Sequence, residues 1–211
     1  MLDLYLFRHA ESESNKNPHL IGGRSDETPL SPLGELQASW LGERLRDKGV
    51  DFDQIYSSTA ARAKKTAAVV CKQIGYPLEN IIYSERLLEL DQGEWQGQPR
   101  TKIYTLQTLA RIDKDNWNFT PPKGESQRQV EERIYSWIEE SLLANYGRAE
   151  QTTVGAFTHG MAIKCVLRKI LSSAPAMTHK IELENTSITR LKYDEKGWHL
   201  SRLNDASHLE F

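Results

Sequence analysis

The sequence predicts an α/β fold, a three-layer α/β/α sandwich with a mostly parallel sheet of about six strands. Three observations predict it: short apolar runs alternate with stretches of helical spacing, several of those stretches carry their own start and stop residues, and the last strand-like runs flank a turn signal. Taking the elements in order, Leu2, Leu4 and Leu6 alternate with Asp3, Tyr5 and Phe7 in a mostly apolar run. That pattern reads as a strand buried on both faces, feeding directly into Arg8 and His9. Ser31 and Pro32 form an N-cap and first-turn pair, and Leu33, Leu36, Trp40, Leu41 and Leu45 then follow helical spacing until Gly49. A second strand, Phe52 to Tyr56, precedes a second helix in which Ala63, Ala67, Val70 and Ile74 share one face before Gly75 and Pro77.

Ile81 to Tyr83 supplies a third strand. Val130, Ile134, Trp137, Ile138 and Leu142 mark an amphipathic helix that leads to a strand at Thr152 to Thr158 and a helix from about Met161 to Leu171. Ser187 to Tyr193 and Trp198 to Leu203, around Asp194-Glu195-Lys196-Gly197, read as an antiparallel hairpin at one edge. Between Gly97 and Gly124 the rhythm breaks. A helix from Arg100 to Ile112, then Trp117, Phe119 and the stiff Pro121-Pro122 pair, form an excursion over the sheet, read equally well as a substrate lid or as a surface insertion.

With 211 residues, the chain fits one domain spanning 1–211 with an insertion at about 97–124. Its 27 Lys+Arg against 29 Asp+Glu give a formal charge of -2 and no basic face for nucleic acid or a membrane surface, so the expected partner is a small molecule. No apolar run approaches the ~20 residues of a membrane span, and MLDLYLFRHA has neither a basic start nor a small-residue cleavage site, so the expected compartment is the cytoplasm. Cys71 and Cys165 are isolated and read as reduced, buried side chains; His19, His179, His199 and His208 are scattered and read as exposed. No Cys/His or carboxylate cluster has metal spacing, and neither a metal nor a cofactor is implied.

The chemistry sits where strands end. Arg8 and His9 leave the first strand with Ser12 and Asn15 in the next loop; a guanidinium offers a planar fork to two phosphate oxygens, and a neutral imidazole is a nucleophile. Arg62 opens the second helix, and His159-Gly160 ends the strand at Thr158. Open α/β sheets bind ligands beyond the carboxyl ends of their strands, so three such loops can converge on one phosphate.

In order, RHAESESN (8–15), YSSTAARAKKTA (56–67), LLELDQGEWQG (87–97), GES (124–126) and FTHG (157–160) resemble the motif set of the histidine phosphatase superfamily. They match the branch typified by cofactor-dependent phosphoglycerate mutase and fructose-2,6-bisphosphatase. The resemblance implies a phosphoglycerate mutase-like sandwich and phosphoryl transfer through a phosphohistidine at His9. It implies that Arg8, Arg62 and His159 bind the transferring group, that Asn15 donates a further hydrogen bond, and that Glu89 is the proton donor. Ser12 and Gly22 are further candidate contacts to phosphate or substrate. Like charge from a phosphate dianion favours a protonated Glu89, ready to donate to the departing oxygen. Glu11 and Glu94 read as solvated loop acids, while Asp91 stays open.

The chain has Ala10 where the family usually has Gly, which its backbone tolerates if φ stays negative. At Ile21-Gly22 an apolar residue stands where the mutases have Thr, and the segment after Glu89 follows the Gly-x-Trp-x-Gly style of the phosphatases. Both favour hydrolysis over a mutase, with a non-catalytic phospho-ligand binder as the remaining alternative. Arg24 reads as a contact to a second anionic group, Arg100 and Lys102 as a charged surface face, and Trp95 and Trp117 either wall the pocket or pack the cap. Sugar phosphates, a nucleotide precursor such as α-ribazole phosphate, phosphoglycolate-like acids and phosphoprotein are all compatible substrates.

Overall fold

The structure is a computed structural model that describes residues 1–144 and 151–210. Six strands form one sheet in the order β3-β2-β4-β1-β5-β6: β1 (Leu2–Arg8), β2 (Gln54–Ser58), β3 (Ile82–Ser84), β4 (Thr152–Thr158), β5 (Ile188–Asp194) and β6 (Gly197–Asp205). The first four in sequence run parallel; β5 lies antiparallel to β1, and β6 to β5. The mostly parallel sandwich is therefore the fold adopted.

Period-two alternation explains the layers. Leu2, Leu4 and Leu6 point to one face and pack with Val130, Ile134 and Trp137 of α5 (Gln127–Trp137) and Ile163 and Val166 of α6 (Gly160–Ile170). Tyr5 and Phe7 point to the other, against Leu41 and Leu45 of α1 (Pro32–Asp47) and Val70 of α2 (Ala61–Ile74). Phe7 and Phe157 stack at 4.7 Å on that face. Truncating Leu41 to Ala, at 0% exposure, should cost ~2–5 kcal/mol in lost burial and cavity.

Several boundaries differ from expectation for visible reasons. β2 begins two residues late because the Asp53 carboxylate accepts from Thr153 N at 2.7 Å, and it ends later because the polar Ser57 and Ser58 are wholly buried. β3 is displaced by one residue, to Ile82–Ser84. On α1, Leu33 and Leu36 face solvent at 44% and 53% exposure, while Gly34, Ala38 and Gly42 are buried. A Cβ at Gly34 would lie 2.0 Å from the Glu11 carbonyl oxygen, and one at Gly42 2.7 Å from the Gln73 Cβ, so the inward face of α1 is chosen by closeness of approach rather than by leucine. The expected helix over 100–112 is two helices, α3 (Arg100–Ile103) and α4 (Leu106–Asp115). Thr105 divides them by accepting from Thr108 N at 3.2 Å as an N-cap. Ser126 caps α5 in a full capping box with Gln129, and beyond Trp137 the helix widens into a π-turn at Ile138–Leu143.

Register delivers the site. Arg8 pairs with Thr158 across β1 and β4, and Ser57 with Phe157 across β2 and β4, so His9, Ser58 and His159 leave three adjacent parallel strands at the same end. β1 is also where the sheet turns antiparallel, a switch point of the kind at which such sheets bind ligands.

Candidate active site

His9 is 4% exposed, and its ring orientation is set by two contacts. Nδ1 lies 2.7 Å from the Ala10 carbonyl oxygen, which can only accept, so Nδ1 carries the proton. Nε2 accepts from Arg62 Nε at 3.2 Å, leaving its lone pair on the side of the arginines. Burial, then the Arg62 and Arg8 charges, push the His9 pKa well below its ordinary value against the opposing Ala10 contact, so the ring is neutral. Ala10 does not have positive φ, as its methyl requires, and its N–H donates to Thr66 Oγ1 at 3.0 Å.

His159 carries the opposite tautomer. Nδ1 accepts from an Arg62 terminal nitrogen at 3.0 Å, so the neutral ring donates from Nε2 to Ser58 Oγ at 2.9 Å. Burial, then Arg62, push its pKa well below the ordinary value too. The two imidazole rings stand 5.1 Å apart at 60°.

The two arginines differ. Arg62 has all five N–H groups engaged, on His9, on His159, and on the carbonyls of Gly23, Arg24 and Ser25 at 2.6–3.3 Å. Arg8 donates to the Leu183 carbonyl, but its buried Nε has no hydrogen-bond partner among the described residues. A buried N–H left unmet costs ~1–3 kcal/mol, which a bound oxyanion would remove. Arg24, expected on a second anion, instead faces Asp91 at 3.7 Å and Glu125 at 3.6 Å.

Glu89 is held by backbone N–H groups. Its Oε1 accepts from Leu90 N at 2.9 Å and Ala162 N at 3.1 Å, and Oε2 from Met161 N at 3.1 Å. The carboxylate thus occupies the amino end of α6. Arg133 holds the segment before it by donating to the Leu88 carbonyl at 3.0 Å and both oxygens of Glu125 at 2.9 Å.

Arg8, Gly22, Gly23 and Glu89 line a cavity of about 610 Å³ whose outer wall is the 97–124 segment: Arg100, Tyr104, Leu109, Ile112, Phe119 and Pro121. The 97–124 segment thus forms one wall of this cavity. Trp95 lines it; Trp117 does not and packs under Arg168 at 4.8 Å and Arg128 at 5.4 Å. Arg100, read from sequence as surface, lines the cavity, whereas Lys102 only reaches Gln98.

The remaining expected residues are placed as follows. Ser12 is fully buried and its Oγ lies 2.9 Å from Asn15 Oδ1, so the pair braces the loop after His9; like His9, Arg62 and His159, neither residue lines the cavity. Asp91 accepts from Gly93 N at 2.7 Å in a turn outside the cavity. Glu11, read as a solvated loop acid, is partly buried and accepts from Ser31 Oγ at 2.6 Å. His208, expected exposed, is half-buried between Arg44 and Thr186, with burial and Arg44 holding its pKa at about 4. His179 is exposed but borders the cavity. Cys71 and Cys165 are buried free thiols, as expected.

The sequence reading passed over Ser58, the Gly23–Ser25 carbonyls, Asn185, whose Nδ2 donates to the His9 carbonyl at 2.8 Å, and Lys164. Only Lys164 had a legible signal, as a charge one turn past Gly160 on an apolar helix face. Among the described residues no group of three or more His, Cys, Asp or Glu is arranged for a metal, and no helix is long and apolar enough to cross a membrane.

This fold and site are those of a phosphoryl-transfer family. The histidine phosphatase superfamily (branch 1) matches residues 4–206, and the chain belongs to it. A protein of Salmonella arizonae named probable phosphoglycerate mutase GpmB is 31% identical over 100% of this chain and 96% of its own length. A phosphoserine phosphatase from Entamoeba histolytica, solved with phosphoserine, superposes with a TM-score of 0.83 at 25% identity, covering 99% of this chain and 100% of that one. A mycobacterial glucosyl-3-phosphoglycerate phosphatase, solved with VO3, superposes with a TM-score of 0.81 at 26% identity, covering 96% and 98%.

Proposed function

We propose that this chain hydrolyses small phosphate monoesters without a metal, through a phosphohistidine at His9. The observation that carries the reading is the His9 ring: neutral, with its proton turned to Ala10 and its Nε2 lone pair facing the arginines. The ester phosphate enters between Arg8 and Arg62, where one of its oxygens takes the Arg62 Nε–H away from His9 and frees the lone pair. Nε2 then attacks phosphorus as the P–O ester bond breaks, and the departing oxygen takes a proton from Glu89. Water attacks the phosphohistidine, Glu89 receives the water's proton, the P–N bond breaks, and inorganic phosphate leaves. Arg8 and Arg62 bear the charge of the equatorial oxygens, and the neutral His159 orients Arg62 and completes the phosphate site, which supports catalysis by cationic side chains. Asn15 Oδ1 accepts from Ser12 N and Ser12 Oγ, which braces the loop that follows His9 and leaves the Asn15 amide N–H groups to donate to phosphate, while Gly22 borders the cavity. We read 1–211 as one domain with 97–124 as its cap.

The name of the Salmonella relative favours a second reading, a mutase that returns its phosphoryl group to a bound intermediate. The apolar Ile21, which lines the cavity at 3% exposure, favours hydrolysis. Phosphate release in EDTA separates the readings. Steady release of inorganic phosphate from benzyl phosphate, blocked by orthovanadate, is expected; no release, or release only after a divalent ion is restored, overturns the proposal.

A further inference from the structure

Lys164 is half-buried and, among the described residues, has no hydrogen-bond or ion-pair partner. It lies on α6 one turn after Gly160 and Met161, so all three line the same cavity. It makes no hydrogen bond or ion pair with any described residue. Burial, then the Arg8 charge, push its pKa down, opposed by Glu89 and Glu182. The Glu89 oxygens meanwhile are occupied by three backbone N–H groups. A half-buried ammonium repelled by a neighbouring guanidinium is unfavourable until an anion arrives.

The cavity is much larger than a phosphate. At about 610 Å³ it has room for a whole organic ligand. Its cap side is an aromatic wall, with Trp95 5.3 Å from Phe119 and 6.1 Å from Tyr104. We propose that the physiological ester carries an anionic group, a carboxylate or a second phosphate, on its alcohol portion, and that Lys164 recognises that group while the Trp95–Phe119 wall holds the body between. Lys164 is thus a specificity-determining residue for the leaving group. This inference rests on the phosphatase reading above.

The test compares kcat/KM for benzyl phosphate, 4-carboxybenzyl phosphate and the corresponding bisphosphate, in which a second phosphate replaces the carboxylate. The wild type should prefer at least one anionic ester about tenfold or more over benzyl phosphate, as expected of one charge-assisted contact. The larger preference names the anion. Lys164→Met should collapse that ratio to near one, and Lys164→Arg should keep much of it. An active wild type with no preference, or a preference that survives in Lys164→Met, overturns the inference and leaves the phosphatase reading standing. Equal losses on all three esters would make Lys164 a contact to the transferred phosphate itself and also overturn it. No phosphate from any ester defeats the phosphatase reading and this inference with it.

Discussion

Arg62→Lys probes the site and the fold together. Five acceptors depend on this side chain: His9 Nε2, His159 Nδ1 and the carbonyls of Gly23, Arg24 and Ser25. Lysine has three N–H donors on one nitrogen, so at least two of those acceptors lose their partner. A buried acceptor left alone costs ~1–3 kcal/mol, and water can reach the half-buried 23–25 carbonyls, so a total of about 2–3 kcal/mol is expected. For a chain of this size that is a fall in Tm of roughly 4–12 °C. Because a point charge cannot reproduce a bidentate fork, kcat/KM should also fall at least about tenfold, or ~1.4 kcal/mol.

Arg8→Lys is the contrast that gives this number meaning. Arg8 has one hydrogen bond, to Leu183, and an unmet Nε, so lysine can keep the bond and removes the orphan. Its Tm should stay close to wild type while kcat/KM falls. Thermal melts and phosphate-release kinetics on the three proteins decide the matter. A wild-type Tm for Arg62→Lys would refute the five-acceptor network, and an unchanged kcat/KM would remove Arg62 from the phosphoryl site.

Two further outcomes are expected. Glu89→Gln should slow hydrolysis of benzyl phosphate ~10²–10⁴-fold and of p-nitrophenyl phosphate less, because nitrophenolate leaves without a proton, and rapid quench should trap acid-labile, base-stable label on His9; equal losses without label would remove Glu89 from the role. The sign of the pH dependence follows from His9 and His159, whose folded pKa values lie below the unfolded ~6.5: the unfolded chain binds more protons as pH falls through that value, so their stabilising effect is complete above it and is lost below it, by up to ~1.4 kcal/mol per histidine per pH unit. Denaturant unfolding in phosphate-free buffer at pH 7.5 and 5.5 measures this, and equal or greater stability at pH 5.5 would count against neutral buried imidazoles.

The strand ends were legible in the sequence because a parallel sheet buried on both faces writes itself as apolar runs, and Arg8-His9 and His159 follow two of them. What was not legible was set by groups that leave no mark on a hydropathy pattern. Three carbonyls of the 23–25 loop hold Arg62, and backbone oxygens are the same in any sequence. The inward face of α1 is made of glycine and alanine, which a search for leucines overlooks. Ser12 looked like a phosphate donor by residue type, but a hydroxyl pairs as readily with Asn15 in its own loop, and type alone cannot choose between the two.

The amino end of α6 shows how the charges of the site divide. A helix start directly after a strand-end histidine would ordinarily offer its free N–H groups to a phosphate. Here Met161 N and Ala162 N are taken by Glu89, so that end already holds a carboxylate and has less to give a second anion. Two consequences follow together. In the proposed reaction the phosphoryl charge would then fall to the side chains gathered at the strand ends, Arg8 and Arg62 beside two neutral imidazoles. Glu89 is also fixed by backbone rather than by a mobile ion pair, so in the proposed reaction the group assigned to exchange a proton with the leaving oxygen and then with water would hold one position through both half-reactions. That exchange has a geometric demand: the proton must sit on a lone pair that none of the three N–H groups uses, facing the cavity that Glu89 lines. In the proposed reaction, positioning of the acid and cationic binding of the phosphate would thus be linked through one helix start.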